Sequence, residues 1–205
     1  MKIGIVACGA IVRELITIAR RQGWDFELTA APAQLHNRPE RIAPAVAEKL
    51  DAWAGRFDLI LVGYADCGTG GVLDAVIARY EHVVRIPGPH CYEFYGGEAF
   101  ERHNEEHLGT FYLTDFLARH FDGLVWKGLG LDRYPQLRDL YFGNYTHLLY
   151  LRQSPEQDES ERAQAAAARL GLHYVEVDTG LTVLEQRLVT LVQQWQNKGA
   201  THDQE

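Results

Sequence analysis

The chain has only three cysteines, one methionine and seven prolines among its 205 residues. Three cysteines are too few, and the wrong parity, for a disulfide scaffold; they point instead to metal binding or thiol chemistry. No apolar run approaches the length of a membrane-spanning helix, so no membrane partner is expected. Basic residues are outnumbered, 20 against 28 acidic ones, for a formal net charge of −8. They are scattered rather than clustered, which argues against nucleic acid or an anionic membrane as partner. No signal-peptide pattern precedes the first apolar run, and the cytoplasm is the expected compartment. The glycine-rich turn at residues 66–71 lacks the lysine of a Walker loop, and it does not spell G-x-G-x-x-G either, so dinucleotide binding is poorly supported.

What is present is a set of short apolar runs that end on glycine or proline. Residues 3–9 (IGIVACG), 59–71 (LILVGYADCGTGG) and 83–91 (VVRIPGPHC) each open as a Val/Ile/Leu-rich strand buried on both faces and then break. Helical patterns follow at least the first two, so the strands should lie parallel. With 46% hydrophobic residues, the chain can bury a core. The expected class is α/β, a doubly wound and mainly parallel sheet of Rossmann or flavodoxin type, either continuous or split into two small lobes.

Strand–helix alternation is expected through residue 91. It comprises strands at 2–8, 24–31, 57–64 and 82–86 and helices at 10–22, 39–54 and 71–80. The first helix should turn Ile11, Leu15, Ile18 and Ala19 inward, with Arg13 and Glu14 on a solvated or salt-bridged face. Residues 92–144 are aromatic-dense and read as a helical covering segment, with residues 110–121 a short helix capped by Thr114. Residues 145–196 form a second α/β unit, with strands at 146–152 and 173–178 and helices at 155–170 and 181–195. Residues 197–205 read as a polar, frayed tail.

Every cysteine falls at the same kind of place. Cys8, Cys67 and Cys91 stand at or just past the C-terminal ends of three strands, the edge where open α/β sheets bind ligands. His36, in the loop after the second strand, is expected on the same side, and His90 adjoins Cys91. Thiolates and imidazoles suit zinc and softer iron or copper sites. The bland alternative is that the cysteines are small buried hydrophobes. Gly68, Thr69 and Gly70 form a turn whose amides could cradle an anion or cofactor, or simply a tight turn that needs glycine. Asp66 is the candidate acid/base or ligand-orienting group, and equally a helix cap. His103, His107, His120 and His147 show no partnered pattern and read as surface or satisfied residues.

These motifs resemble domain-of-unknown-function family 1638, found in bacteria and archaea. The match runs through Ala7-Cys8 with Arg13-Glu14-Leu15, Leu35-His36 with Pro39, and Gly63 to Gly70 around Cys67. It continues through the proline-rich segment from Pro87 to Cys91 and the stretch from Gly109 to Thr114, spanning most of residues 1–180. The family often has a residue between the His and the Cys, whereas here His90 and Cys91 are adjacent. The resemblance supports Cys8, His36, Cys67 and the His90/Cys91 pair as the site. It also implies, through relatives that occur beside corrinoid-dependent methyltransferases, a role in one-carbon or methylamine metabolism. Three readings follow. One is a zinc protein, with methyl transfer or hydrolysis of a small molecule as the reaction. Another is an iron–sulfur protein built on the same residues. The third is a non-catalytic accessory or metal-delivery partner of a corrinoid methyltransferase system. A simple anion-binding domain is the fourth and plainest option, and a homo-oligomer is compatible with all of them.

Overall fold

A computed structural model of the protein describes residues 1–154, 156 and 158–202. The chain divides into two compact units, Met1–Cys91 with Leu184–Glu205, and Tyr92–Val183. Each unit is built on its own parallel sheet, and the class is α/β, consistent with a doubly wound Rossmann-like fold.

In the first unit the sheet order is β2-β1-β3-β4. The strands are β1 (Lys2–Cys8), β2 (Asp25–Ala31), β3 (Leu59–Gly63) and β4 (Val83–Arg85). Between them run α1 (Val12–Arg21), α2 (Ile42–Ala52) and α3 (Val72–Ile77). The two central strands are apolar and buried apart from Lys2 at the start of β1: Ile3, Ile5 and Val6 in β1 and Leu59 to Val62 in β3 are all at most 1% exposed. Each such side chain contributes roughly 1.5–3 kcal/mol on burial. Helix α1 buries Leu15, Ile18 and Ala19 against the sheet. It lies so close to β3 that a Cβ at Gly63 would sit 2.6 Å from Leu15 Cδ1. Glycine at that position therefore sets how near the helix comes to the strand.

The second unit has sheet order β5-β6-β7, from β5 (Thr110–Thr114), β6 (His147–Arg152) and β7 (His173–Asp178). Around it in sequence are α4 (Cys91–Gly96), α5 (Glu98–Glu106), α6 (Asp115–Arg119), α7 (Leu137–Phe142) and α8 (Ser160–Leu170). Its core joins Leu113, Leu148 and Tyr150 to Ala163, Ala166, Ala167 and Leu170 of α8.

Three expectations are corrected here. Residues 110–121 are not one helix: TFYLT is strand β5, paired in register with β6 from Thr110↔His147 to Thr114↔Leu151, and only then does α6 begin. Thr114 does cap it, accepting from the Leu117 amide at 3.3 Å. Residues 92–144 are thus not merely a covering segment, because they supply a strand to the second sheet. The tail is not frayed from residue 197, because α9 runs Thr182–His202. The expected start of the helix at 155–170, Pro155, lies outside the described residues, as do residues 203–205. Among the described residues no helix is long and apolar enough to cross a membrane.

Candidate functional site

The C-terminal edge of the first sheet is assembled by backbone hydrogen bonds between consecutive strand ends. Cys8 closes β1, in register with Ala31 of β2, and the Gly9 amide then donates to the Ala31 carbonyl at 2.9 Å. The chain turns sharply into α1, and the Ala10 amide donates to Cys8 Sγ at 3.3 Å. After β3, Tyr64 and Ala65 remain fully buried. The next two amides cross to the loop after β4: Asp66 N–H to the Gly88 carbonyl at 3.0 Å and Cys67 N–H to the Pro89 carbonyl at 2.9 Å. Proline supplies no donor of its own, so the segment before Cys91 serves this turn as an acceptor. Arg85 braces the same loop. Its guanidinium is bidentate on Asp74 and donates to the Ile86 and Gly88 carbonyls.

Cys67 has φ +50°, and no other described non-glycine residue has a positive φ. A non-glycine residue there carries about 1–2 kcal/mol of backbone strain, held in place by the two inter-loop hydrogen bonds. Such outliers concentrate at functional sites. Directly after it the glycine turn closes on Asp66. That carboxylate accepts from Thr69 Oγ1 at 2.7 Å, Gly71 N at 2.8 Å and Gly70 N at 3.1 Å. The chain thus supplies its own anion to the amides of Gly70 and Gly71. The hydroxyl and amide donors hold Asp66 at a pKa of about 2, which suits a cap rather than a proton carrier at neutral pH.

The three thiols share one electrostatic environment. Burial pushes Cys8 up to about 11, moderated by the Ala10 amide and Tyr64 and reinforced by Glu14. Burial, then repulsion from Cys8, pushes Cys67 up to about 12. Cys91 is raised well above the ordinary thiol value by burial, then by Cys67 and Cys8. The residue itself keeps some surface exposure. The sulfurs arrive from three separate strand ends and lie within interaction range of one another.

His36 belongs to the same group. It lies in a 3₁₀ turn (Ala33–Asn37) after β2. Its Nδ1 is 4.0 Å from Cys8 Sγ and 2.9 Å from the Ala33 carbonyl. That carbonyl can only accept, so Nδ1 carries the proton and the lone pair is on Nε2, the arrangement usual for a histidine ligand oriented by backbone. Its ring stacks on Tyr64, with centroids 6.1 Å apart. Desolvation of the ring lowers its pKa, with a further contribution from His90, and both residues keep exposed surface.

Two members of this site escaped the sequence reading. Glu14, assigned there to a solvated or salt-bridged face, is half-buried and acts on both Cys8 and Cys91. Tyr64 is buried with its hydroxyl beside Cys8 and Cys67, where it meets no hydrogen bond of normal geometry. Its place one residue past β3, the same kind of position as the cysteines, was the available signal. The side chains do not form a finished cage: among the described residues no three His, Cys, Asp or Glu groups are already disposed to hold one ion. A cleft of about 410 Å³ lies elsewhere in this unit, lined by Met1, Trp24, Asp25 and Val192 among others, and contains none of the cysteines or histidines.

No curated protein and no solved structure matches the chain. A family model does match, over residues 30–188, a span that takes in His36, Cys67, His90 and Cys91. The chain belongs to this family, described as protein of unknown function (DUF1638).

Proposed function

We propose that this protein binds a metal through Cys8, Cys67, Cys91 and His36, and uses the site in chemistry on a small molecule. The observation that carries the reading is the convergence of three thiols from three strand ends, all within electrostatic reach of one another, with an imidazole 4.0 Å from the first. The donor set fits a soft or borderline cation. Three thiolates beside Glu14 would repel one another, and a dication removes that repulsion. Zinc is the ion this set fits best, and it would supply a Lewis acid that activates a bound thiol or water. The chain's own parts are then clear. The Ala33 carbonyl orients His36, the Tyr64 hydroxyl offers a hydrogen bond to sulfur, and the Cys67–Pro89 bond fixes the spacing of two thiols. Such free thiols suit a reducing compartment, and the reading accordingly assigns the protein to the cytoplasm.

A second reading rests on the count of three cysteines. Three thiolates can hold an iron–sulfur cluster and leave one iron for a non-cysteine ligand. The family resemblance adds a setting for either reading, one-carbon metabolism, with a corrinoid protein or methyltransferase as partner. Pull-down against purified corrinoid proteins tests that setting.

Elemental analysis of anaerobically purified protein, beside its absorption spectrum, tests the reading itself. Near-stoichiometric zinc and a colourless sample support the first form, and iron with a brown chromophore supports the second. Metal content that is unchanged in Cys8→Ser, Cys67→Ser and Cys91→Ser alike would overturn both.

A further inference from the structure

The second unit contains a cluster that the sequence reading dispersed. His103 and His107 are four residues apart at the end of α5 and face the same way. His147 opens β6 and His173 opens β7, and the two are partners in the sheet register. All four therefore gather at the N-terminal edge of the second sheet. The ring centroids of His107 and His147 are 4.3 Å apart, those of His103 and His107 4.7 Å, and those of His103 and His147 6.0 Å. His173 flanks them, 5.3 Å from His147. His120 is elsewhere, packed on Phe116.

Ring packing alone would leave the nitrogens to ordinary partners, and one of them has none. His103 Nε2 is buried and meets no hydrogen-bond partner. A buried polar atom without a partner costs about 1–3 kcal/mol, so the cluster is incomplete as a purely structural feature. Burial and the neighbouring imidazoles lower the pKa of both His103 and His147, which favours the neutral form that ligates metal. Thr146 Oγ1 lies 2.8 Å from His147 Nδ1, a contact of the kind that orients a ring and leaves Nε2 to bind.

The spacing also fits. With zinc–nitrogen bonds of about 2.0–2.1 Å and tetrahedral angles, two imidazoles on one ion have their centroids roughly 5 Å apart. The observed separations bracket that value. The nitrogens do not yet converge on one point, so binding requires rotation of side chains that are partly exposed.

We propose that His103, His107 and His147, flanked by His173, form a second metal site, for a borderline divalent transition ion of the zinc or nickel class. An all-imidazole donor set selects such ions over magnesium or calcium. The site is independent of the cysteine centre, and neither proposal needs the other.

The test uses the full chain, stripped with chelator and titrated with Co²⁺ and Ni²⁺. A cysteine site announces itself by thiolate-to-cobalt charge transfer in the near ultraviolet; an imidazole site gives only weak visible bands. The expected result is one equivalent bound without the thiolate signature. It should be retained in Cys67→Ser and His120→Gln and lost in His107→Gln and His147→Gln. Unchanged stoichiometry and affinity in both of the latter variants would overturn the site. Should those variants fail to fold, imidazole ¹⁵N shifts of the wild-type protein on adding Zn²⁺ decide. Shifts at His103, His107 and His147 sustain the proposal, and shifts confined to other histidines, or none, sink it.

Discussion

The Cys67 amide donates to the Pro89 carbonyl at 2.9 Å, and this bond locks the glycine turn after β3 to the proline segment after β4. Two candidate ligands, Cys67 and Cys91, are spaced by it. It also holds Cys67 in the left-handed region at φ +50°. Glycine adopts that backbone freely, whereas alanine does not. Cys67→Gly should therefore be more stable than Cys67→Ala by about 1 kcal/mol, although both remove the same thiol. Urea unfolding of the two metal-free variants measures the difference. Equal stabilities would show that the strain is not real.

The two histidines that sequence left as alternatives are now distinguishable. His36 has its Nδ1 oriented by the Ala33 carbonyl and 4.0 Å from Cys8 Sγ, whereas His90, an exposed residue as His36 also is, stands in the loop after β4. His36→Gln should weaken metal binding by at least about tenfold, the smallest loss expected even for a group that only orients a ligand. His90→Gln should change it little. Competition with a chromogenic chelator gives both affinities, and the reverse ranking would transfer the ligand role to His90.

Protonation gives a third expectation. Cys8 and Cys67 are raised from 9.0 to about 11 and about 12, so without metal all three thiols are neutral at pH 7. Binding one dication as three thiolates should release roughly three protons, measurable by calorimetry in buffers of different ionisation enthalpy. The same shifts set the sign of a stability effect. Above pH 9 the unfolded thiols ionise while the folded ones stay protonated, so the folded state binds more protons and stability falls as pH rises toward about 12. Below pH 9 the thiols add no slope. Urea unfolding of the reduced, metal-free protein between pH 8 and about pH 10 should show the decline, and Cys67→Ser should flatten it. A stability that stays level in the unsubstituted protein would mean the thiols are not buried as described.

Much of the candidate site was legible because strand ends announce themselves. IGIVAC, LILVG and VVRIP are apolar runs cut by glycine or proline, and a parallel sheet must bring their C-terminal ends to one edge. The fold followed from the same runs. Other parts were not legible, for physical reasons. Residues 110–114 alternate weakly and run straight into a capped helix, so a strand paired only with distant β6 read as helix. Glu14 looked like a surface charge because its position beside Cys91 depends on how α1 packs under the β1 turn. The histidine cluster joins α5 to two strands more than forty residues away in sequence, a juxtaposition set by sheet register rather than by any local pattern.

Asp66 offers the last test, because sequence allowed it to be an acid/base group or a cap and the geometry favours the cap. Its carboxylate accepts from Thr69, Gly70 and Gly71. Asp66→Ala removes all three bonds and should cost about 1–2 kcal/mol, in the range of a lost helix cap. Asp66→Asn keeps an acceptor and should cost less. The depressed pKa, about 2 against 3.8, gives the sign. The ionised carboxylate contributes its full stability above about pH 4, and that contribution is lost as pH falls through about 2. Acid unfolding followed by circular dichroism should therefore show less loss between pH 4 and pH 2 in Asp66→Asn than in the unsubstituted protein. A carboxylate with this affinity for its proton is already ionised throughout the neutral range. The pH–rate profile of any activity found for the protein should accordingly lack a limb that disappears in Asp66→Asn, and finding one would return Asp66 to the chemistry.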